Sequence, residues 1–404
     1  MTSEARLIEA TSGVEPYAGV EPSPRKWYAG GWLDRFWALV ILCLPFNVFP
    51  PGSPQPADFL MLGLLCAPVV LTRYTMPPSI ARPVFSLAAF VGYVIACNFV
   101  WIALTTEFDF FKASSFYAFN FLVFLGYLVM LGHRGEDWLR WTLIGFAASL
   151  VMLAALSIPF SHRAESGRLE LFFANPNQLA YHVLLCASVV VVLAPRYRMP
   201  KVLVYALLLC AFYLQLRTYS RAGSFGIALL GVLEFARRPT LVTILLLPVF
   251  VGALYLDLQN LDTDLWRNRL DLVEQSTTED YLTDRGLDRI VDHPQYLIFG
   301  AGEGHLIRFH HLKQEIHSSA ANVIFSYGIV GTLLFLVFLR WLLLSSGLRI
   351  PLLLIPALMY SLFHHGMRAR PFWLLLAIAL AAGVLTELAA ARVRNNRPLS
   401  LMKS

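Results

Sequence analysis

Charge is what this chain has least of. Only 14% of its 404 residues are Asp, Glu, Lys or Arg, against roughly 25% in a soluble domain, and the mean hydropathy is +0.60. That balance excludes an ordinary water-soluble globule. The five cysteines (Cys43, Cys66, Cys97, Cys186, Cys210) form no CxxC and all lie in apolar runs. A disulfide framework and a thiolate metal site are thereby excluded, and the thiols read as small buried hydrophobes. Polar-apolar alternation over strand length is missing, which excludes a membrane barrel. Residues 1–35 include VEPYAGVEPSPRKW but neither an apolar core nor a small-residue cleavage site. They read as a polar cytoplasmic tail rather than a cleavable signal peptide.

What remains is oil. Twelve apolar runs follow, at about 36–50, 58–72, 83–104, 114–132, 139–160, 171–194, 201–217, 222–236, 239–257, 319–345, 348–366 and 371–391. In lipid a backbone satisfies its polar groups as helix or closed barrel, so the runs predict an all-α membrane protein of about twelve spans. The chain divides into the tail 1–35, nine spans in 36–257, a polar loop 258–318, three spans in 319–391 and a basic tail 392–404. No internal repeat argues for a two-fold transporter architecture. With the termini cytoplasmic, 19 of the 32 Lys and Arg residues face the cytoplasm, and the positive-inside rule then places residues 258–318 outside.

That loop is the only long polar stretch between spans, and it holds five of the ten histidines: His293, His305, His310, His311 and His317. The basic residues that break the topological rule cluster with it. Lys112 and the pairs Arg163 and Arg168, Arg217 and Arg221, and Arg368 and Arg370 all fall in short external loops. Snorkelling at helix ends explains any one of them. Three pairs beside a histidine-rich loop point to a shared anionic ligand.

Four motifs carry the candidate chemistry. In RTYSRAG, Arg221 opens a helix, where an arginine and free backbone N–H groups together hold an anion, and Gly223 permits close approach. The plain alternative is a turn with two snorkelling arginines. In RLELFFANPNQ, Asn175, Asn177 and Gln178 can bond sugar hydroxyls or phosphate oxygens; the alternative is a helix cap followed by proline. Thr283-Asp284-Arg285 opens a short amphipathic helix with Leu287, Ile290 and Val291 on one face, capped by Thr283, stopped by Pro294 and aiming Arg285 inward. In the following FGAGEG no strand-helix unit supports a nucleotide-binding turn, and a tight flexible turn is the better account. Glu315-Ile-His317 runs straight into a span, where an imidazole kept neutral by nearby arginines serves as a base. Metal is the rival chemistry: the loop histidines lack zinc spacing, and Glu107 with Asp109 forms only an acidic pair.

Taken in order, ANPNQLA (174–180), YSRAGS (219–224), TDRG (283–286), HPQYLIFGAGEG (293–304), HSSAANVIFSYGIVG (317–331) and HGMRARPFWLLL (365–376) resemble the bacterial O-antigen ligase and polymerase superfamily. Ser318 stands where family members commonly carry Asn. The resemblance implies a fold of the C-type glycosyltransferase kind, with a periplasmic helical cap, in the bacterial inner membrane. It implies that an acceptor hydroxyl attacks a glycan linked through diphosphate to a polyprenol, with inversion and without a metal. His317 is then the base and Arg221 and Arg285 hold the diphosphate, while Arg168, Asn175, Asn177, Arg217, Arg368 and Arg370 contact substrate. The partners are the lipid-linked donor, a glycan or lipid A-core acceptor and the bilayer; no cofactor and no nucleic acid enters. A polymerase is the leading expectation and a ligase the alternative. A flippase or proton-coupled transporter is the reading from another class, opposed by ionisable residues that cluster at the outer boundary rather than at mid-membrane.

Overall fold

A computed structural model describes residues 30–50, 52–160, 167–237, 282–283, 285–309, 315–347 and 349–395. The described residues are helical, with no strand among them. The helices are α1 (Trp32–Cys43), α2 (Pro56–Leu71), α3 (Pro78–Thr105), α4 (Asp109–Arg134), α5 (Glu136–Ser157) and α6 (Pro176–Leu193). They continue as α7 (Lys201–Thr218), α8 (Arg221–Arg237), the single turn α9 (Asp288–Asp292), α10 (Ser319–Ser346), α11 (Arg349–Phe363) and α12 (Arg370–Asn395).

Six of them, α3, α4, α5, α6, α7 and α10, are long and apolar enough to cross a membrane. At 1.5 Å per residue, the 28 residues of α3 reach about 42 Å, beyond the ~30 Å hydrocarbon layer. Three shorter apolar stretches are Pro56–Leu71, Ile350–Phe363 and Arg370–Thr386. The expectation of twelve spans is thus met in its all-helical part. The apolar run 239–257 and residues 258–281, 284 and 310–314 of the polar loop, with His310 and His311, lie outside the described residues.

The centre is formed by α6 and α12. Every residue of α6 from Leu179 to Leu193 is buried, as is every residue of α12 from Phe372 to Leu385. Apolar side chains such as Phe85, Leu104, Ile329, Leu333 and Leu336 stay exposed on α3 and α10, as lipid-facing surfaces require. At one end of the bundle the helices are tied by polar clamps: Asp34 with Arg134 at 2.6 Å, and Glu136 with Arg196 and Tyr197. The opposite end carries the starts of α4, α6, α8, α10 and α12 and the loop residues 285–309.

Those loop residues are built into the bundle rather than laid over it. Gly328 breaks α10 with φ 64° and ψ −168°, a conformation open to glycine. The break releases the carbonyls of Phe325 and Ser326 from their intrahelical partners, and they accept the N–H groups of Ala301 (3.0 Å) and Gly302 (2.8 Å) instead. On the other side, Tyr93 Oη donates to the Phe299 carbonyl at 2.8 Å and Trp101 Nε1 to the Gly300 carbonyl at 3.1 Å. Irregular backbone is tolerated beside a span only when its polar groups are met in this way. FGAGEG is therefore no flexible turn. A Cβ on Gly300 would stand 2.3 Å from the Ser326 carbonyl, and one on Gly302 2.6 Å from Trp101. The motif is glycine-rich because two helices crowd it.

Candidate functional site

A cleft of about 550 Å³ opens at the loop-bearing end, between the α7–α8 turn and α11. Its walls bring together residues from four parts of the chain: Asn177, Tyr219 to Ala222, Arg285, and Tyr360 with His364, while Phe225, Met359 and Phe363 supply apolar surface.

Arg221 and Arg285 meet in this cleft. Arg221 is the first residue of α8. Tyr219 turns the chain through a left-handed conformation (φ 50°), and Ser220 caps the helix, its Oγ accepting the Gly223 N–H at 3.3 Å. The start of α8 therefore presents a guanidinium beside the helix's positive pole, an arrangement that favours an anion. Gly223 serves a different purpose from the one expected. A Cβ there would lie 2.1 Å from Gln215 Oε1 and 3.0 Å from Ala180 Cβ, so close approach is by neighbouring helices, not by ligand.

Arg285 is held from two sides. Its Nη1 donates to the Phe363 carbonyl at 2.5 Å, and its own carbonyl accepts the His317 N–H at 3.0 Å. The segment departs from the expected amphipathic helix. Thr283 closes a turn to Gly286 (2.9 Å) and the helix begins only at Asp288. Leu287 and Ile290 pack on the Ala301–Ile316–Phe325 cluster, whereas Val291 is exposed. The helix ends at Asp292, ahead of Pro294 as expected, and Pro294 opens a 3-10 turn.

His317 is not among the cleft's lining residues; it stands one backbone hydrogen bond behind Arg285. Burial, then Arg285 and Arg289, push its imidazole below the ordinary histidine value, with Glu315 opposing. A neutral ring, as a base requires, is favoured. Ser318 caps α10 through the Ala321 N–H at 3.3 Å.

The other expected substrate residues separate. Asn177 lines the cleft; its Oδ1 accepts from Arg168 Nη2 at 3.2 Å, and its carbonyl accepts the Tyr360 hydroxyl at 2.6 Å. Arg168 also donates to the Thr218 carbonyl at 2.9 Å, tying the segment before α6 to the end of α7. Asn175 caps α6, accepting the Gln178 N–H at 2.9 Å, as the plain alternative had it. The carbonyl of Arg217 accepts from Leu169 N–H at 2.9 Å, and its side chain is not part of the lining. Arg370 pairs with Asp58 at 2.5 Å, joining α12 to α2. Arg368 reaches Glu303 and Glu315, each at 2.6 Å.

Glu303 is the residue the sequence reading passed over. Its carboxylate is 3% exposed, yet it accepts from Arg368 Nη2 (2.6 Å) and Nε (3.0 Å), Asn322 Nδ2 (2.9 Å), Tyr327 Oη (3.0 Å), Tyr117 Oη (3.2 Å) and His365 Nε2 (3.3 Å). Burial alone would raise this carboxyl; Arg368 and His365 override it and hold it down at about 2. Burial and Arg368 in turn drive His365 down to about 4, so at neutral pH it is an uncharged ring donating Nε2–H. A lone acid among glycines in an apolar run was the available signal. Nearby, Arg308 lies over Trp101 (4.5 Å), Phe110 (4.9 Å) and Phe309 (4.5 Å) and donates to the Ala301 carbonyl. Burial lowers it to about 10, leaving it charged and packed as a cation–π brace. Glu107 meets His305 at 3.6 Å. Among the described residues no three His, Cys, Asp or Glu side chains converge as metal ligands would.

The site is thus a two-arginine cleft, with a buried carboxylate fixing the loops behind it and a histidine at its back. No protein-family model matches the chain and no curated protein matches it either.

Proposed function

We propose that the protein is a membrane glycosyltransferase that moves a glycan from polyprenyl diphosphate onto an acceptor hydroxyl, as a polysaccharide or O-antigen polymerase. One observation carries the reading. Arg221 and Arg285, from the two resemblance motifs YSRAGS and TDRG, line a single cleft beside a helix N-terminus. Two guanidiniums and a helix pole neutralise a leaving diphosphate. Phe225, Met359 and Phe363 suit the first isoprene units of a lipid-linked donor. In the reaction the acceptor oxygen bonds to the anomeric carbon as the carbon–oxygen bond to diphosphate breaks. The electron pair leaves with polyprenyl diphosphate, and His317 takes the hydroxyl proton. The site faces the periplasm in this reading, on the strength of the basic-residue tally.

Purified protein in liposomes, given lipid-linked repeat units, should produce lipid-linked oligomers and free polyprenyl diphosphate. Transfer only to added lipid A-core would assign a ligase instead. Donor translocation without glycosidic bond formation would replace the enzyme with a transporter.

A further inference from the structure

Among the lining residues of the cleft there is one imidazole, and it is that of His364 rather than His317. The position of His364 is strongly fixed. It follows the last residue of α11, its N–H donating to the Tyr360 carbonyl at 3.0 Å. Its ring lies over that of Tyr360, centroids 4.8 Å apart and planes 30° from parallel. Ser319 Oγ donates to its carbonyl at 3.2 Å and accepts the Gly366 N–H at 2.8 Å. The adjoining His365 and Arg368 are both anchored on buried Glu303. The turn that carries His364 is thus clamped to α10 and to the loop, and it faces the same space as the two arginines.

We propose that His364 is a third ligand of the diphosphate, its imidazole donating a hydrogen bond to a phosphate oxygen that Arg221 and Arg285 also hold. The proposal rests on the glycosyl-transfer reading of the cleft. Contact with the tilted Tyr360 ring restrains the imidazole, and the turn fixes the backbone, so the ring is placed before the anion arrives. An anion stabilises the protonated ring, so by linkage diphosphate binding tightens as pH falls. Arg221, Arg285, Tyr219 and Tyr360 line the cleft with His364, and behind it the adjoining His365 faces Arg368, Glu303, Glu315 and His317. His365 is uncharged at neutral pH, and Arg368 is neutralised by its two glutamates.

The test is inorganic pyrophosphate binding to the full-length protein in nanodiscs, from pH 8 to pH 6, for wild type, His364→Gln and Arg221→Lys. Pyrophosphate's own protonation is common to all three and cancels in the comparison. His364→Gln should bind about tenfold or more weakly at pH 6 and converge toward wild type at pH 8. On the wild type itself, pyrophosphate should protect His364 from carbethoxylation, read by peptide mass spectrometry. Binding that depends on Arg221, with His364→Gln matching wild type at both pH values and His364 unprotected, overturns the proposal and leaves the glycosyl-transfer reading standing. If the wild type binds no pyrophosphate, both fall.

Discussion

Replacing Glu303 by Gln should cost about 3 kcal/mol of stability, and the figure comes from two directions. Glutamine is close in shape to the protonated acid. A carboxyl held at about 2 rather than 4.5 corresponds to about 3 kcal/mol of extra stability for the charged form. Independently, removing one partner of a buried ion pair costs about 3–5 kcal/mol. The lower end applies, because Arg368 is 31% exposed and keeps Glu315 at 2.6 Å. The sign follows from the depressed carboxyl: its stabilisation is complete above 4.5 and is lost as pH falls from there toward 2. Equilibrium unfolding of the purified protein in an SDS titration from mild detergent, at pH 7 and at pH 4, measures both effects. Glu303→Gln should lose about 3 kcal/mol at pH 7 and be less sensitive to acid than wild type. A double variant, Glu303→Leu with Arg368→Met, should recover part of the loss, since an apolar replacement leaves no buried charge alone. Glu303→Gln within about 0.5 kcal/mol of wild type, the scale of an ordinary surface change, would refute the claim that this carboxylate fixes the loop.

Other outcomes follow from the same geometry. Arg221→Lys and Arg285→Lys keep the charge but lose the planar fork; each should reduce glycosyl transfer about 10–100-fold with folding intact, and wild-type turnover in liposomes would remove that arginine from the site. His317→Ala should lose about 10²–10⁴-fold in rate while still binding donor. With wild type at saturating donor, the rate should hold as pH falls through 6.5 and drop only below, because arginines and burial depress this imidazole; loss of donor binding in the alanine variant would make His317 a ligand rather than a base. Gly300→Ala meets the Ser326 carbonyl at 2.3 Å in a backbone with φ 96°, so its folded yield in membranes should fall severalfold, whereas Gly231→Ala on α8, with nothing within 4 Å, should express as wild type.

Much of this protein was legible in the chain itself. Long apolar runs admit one backbone solution in lipid, so helices such as α3, α4, α5 and α10 could be placed to within a few residues. Arg221 and Arg285 stood out because a charge in an oily sequence requires a partner or a ligand, and Asn175 announced its cap by standing before a proline. Tertiary structure decided the rest. That Arg370 pairs with Asp58, that Arg168 ties the α6 entry to the end of α7, and that Gly223 admits a helix instead of a ligand depend on neighbours distant in sequence. Glu303 became the anchor of the site only when a glycine break in α10 released two carbonyls for the FGAGEG backbone. Local residue patterns record which groups must be satisfied; which distant group satisfies them is settled by packing.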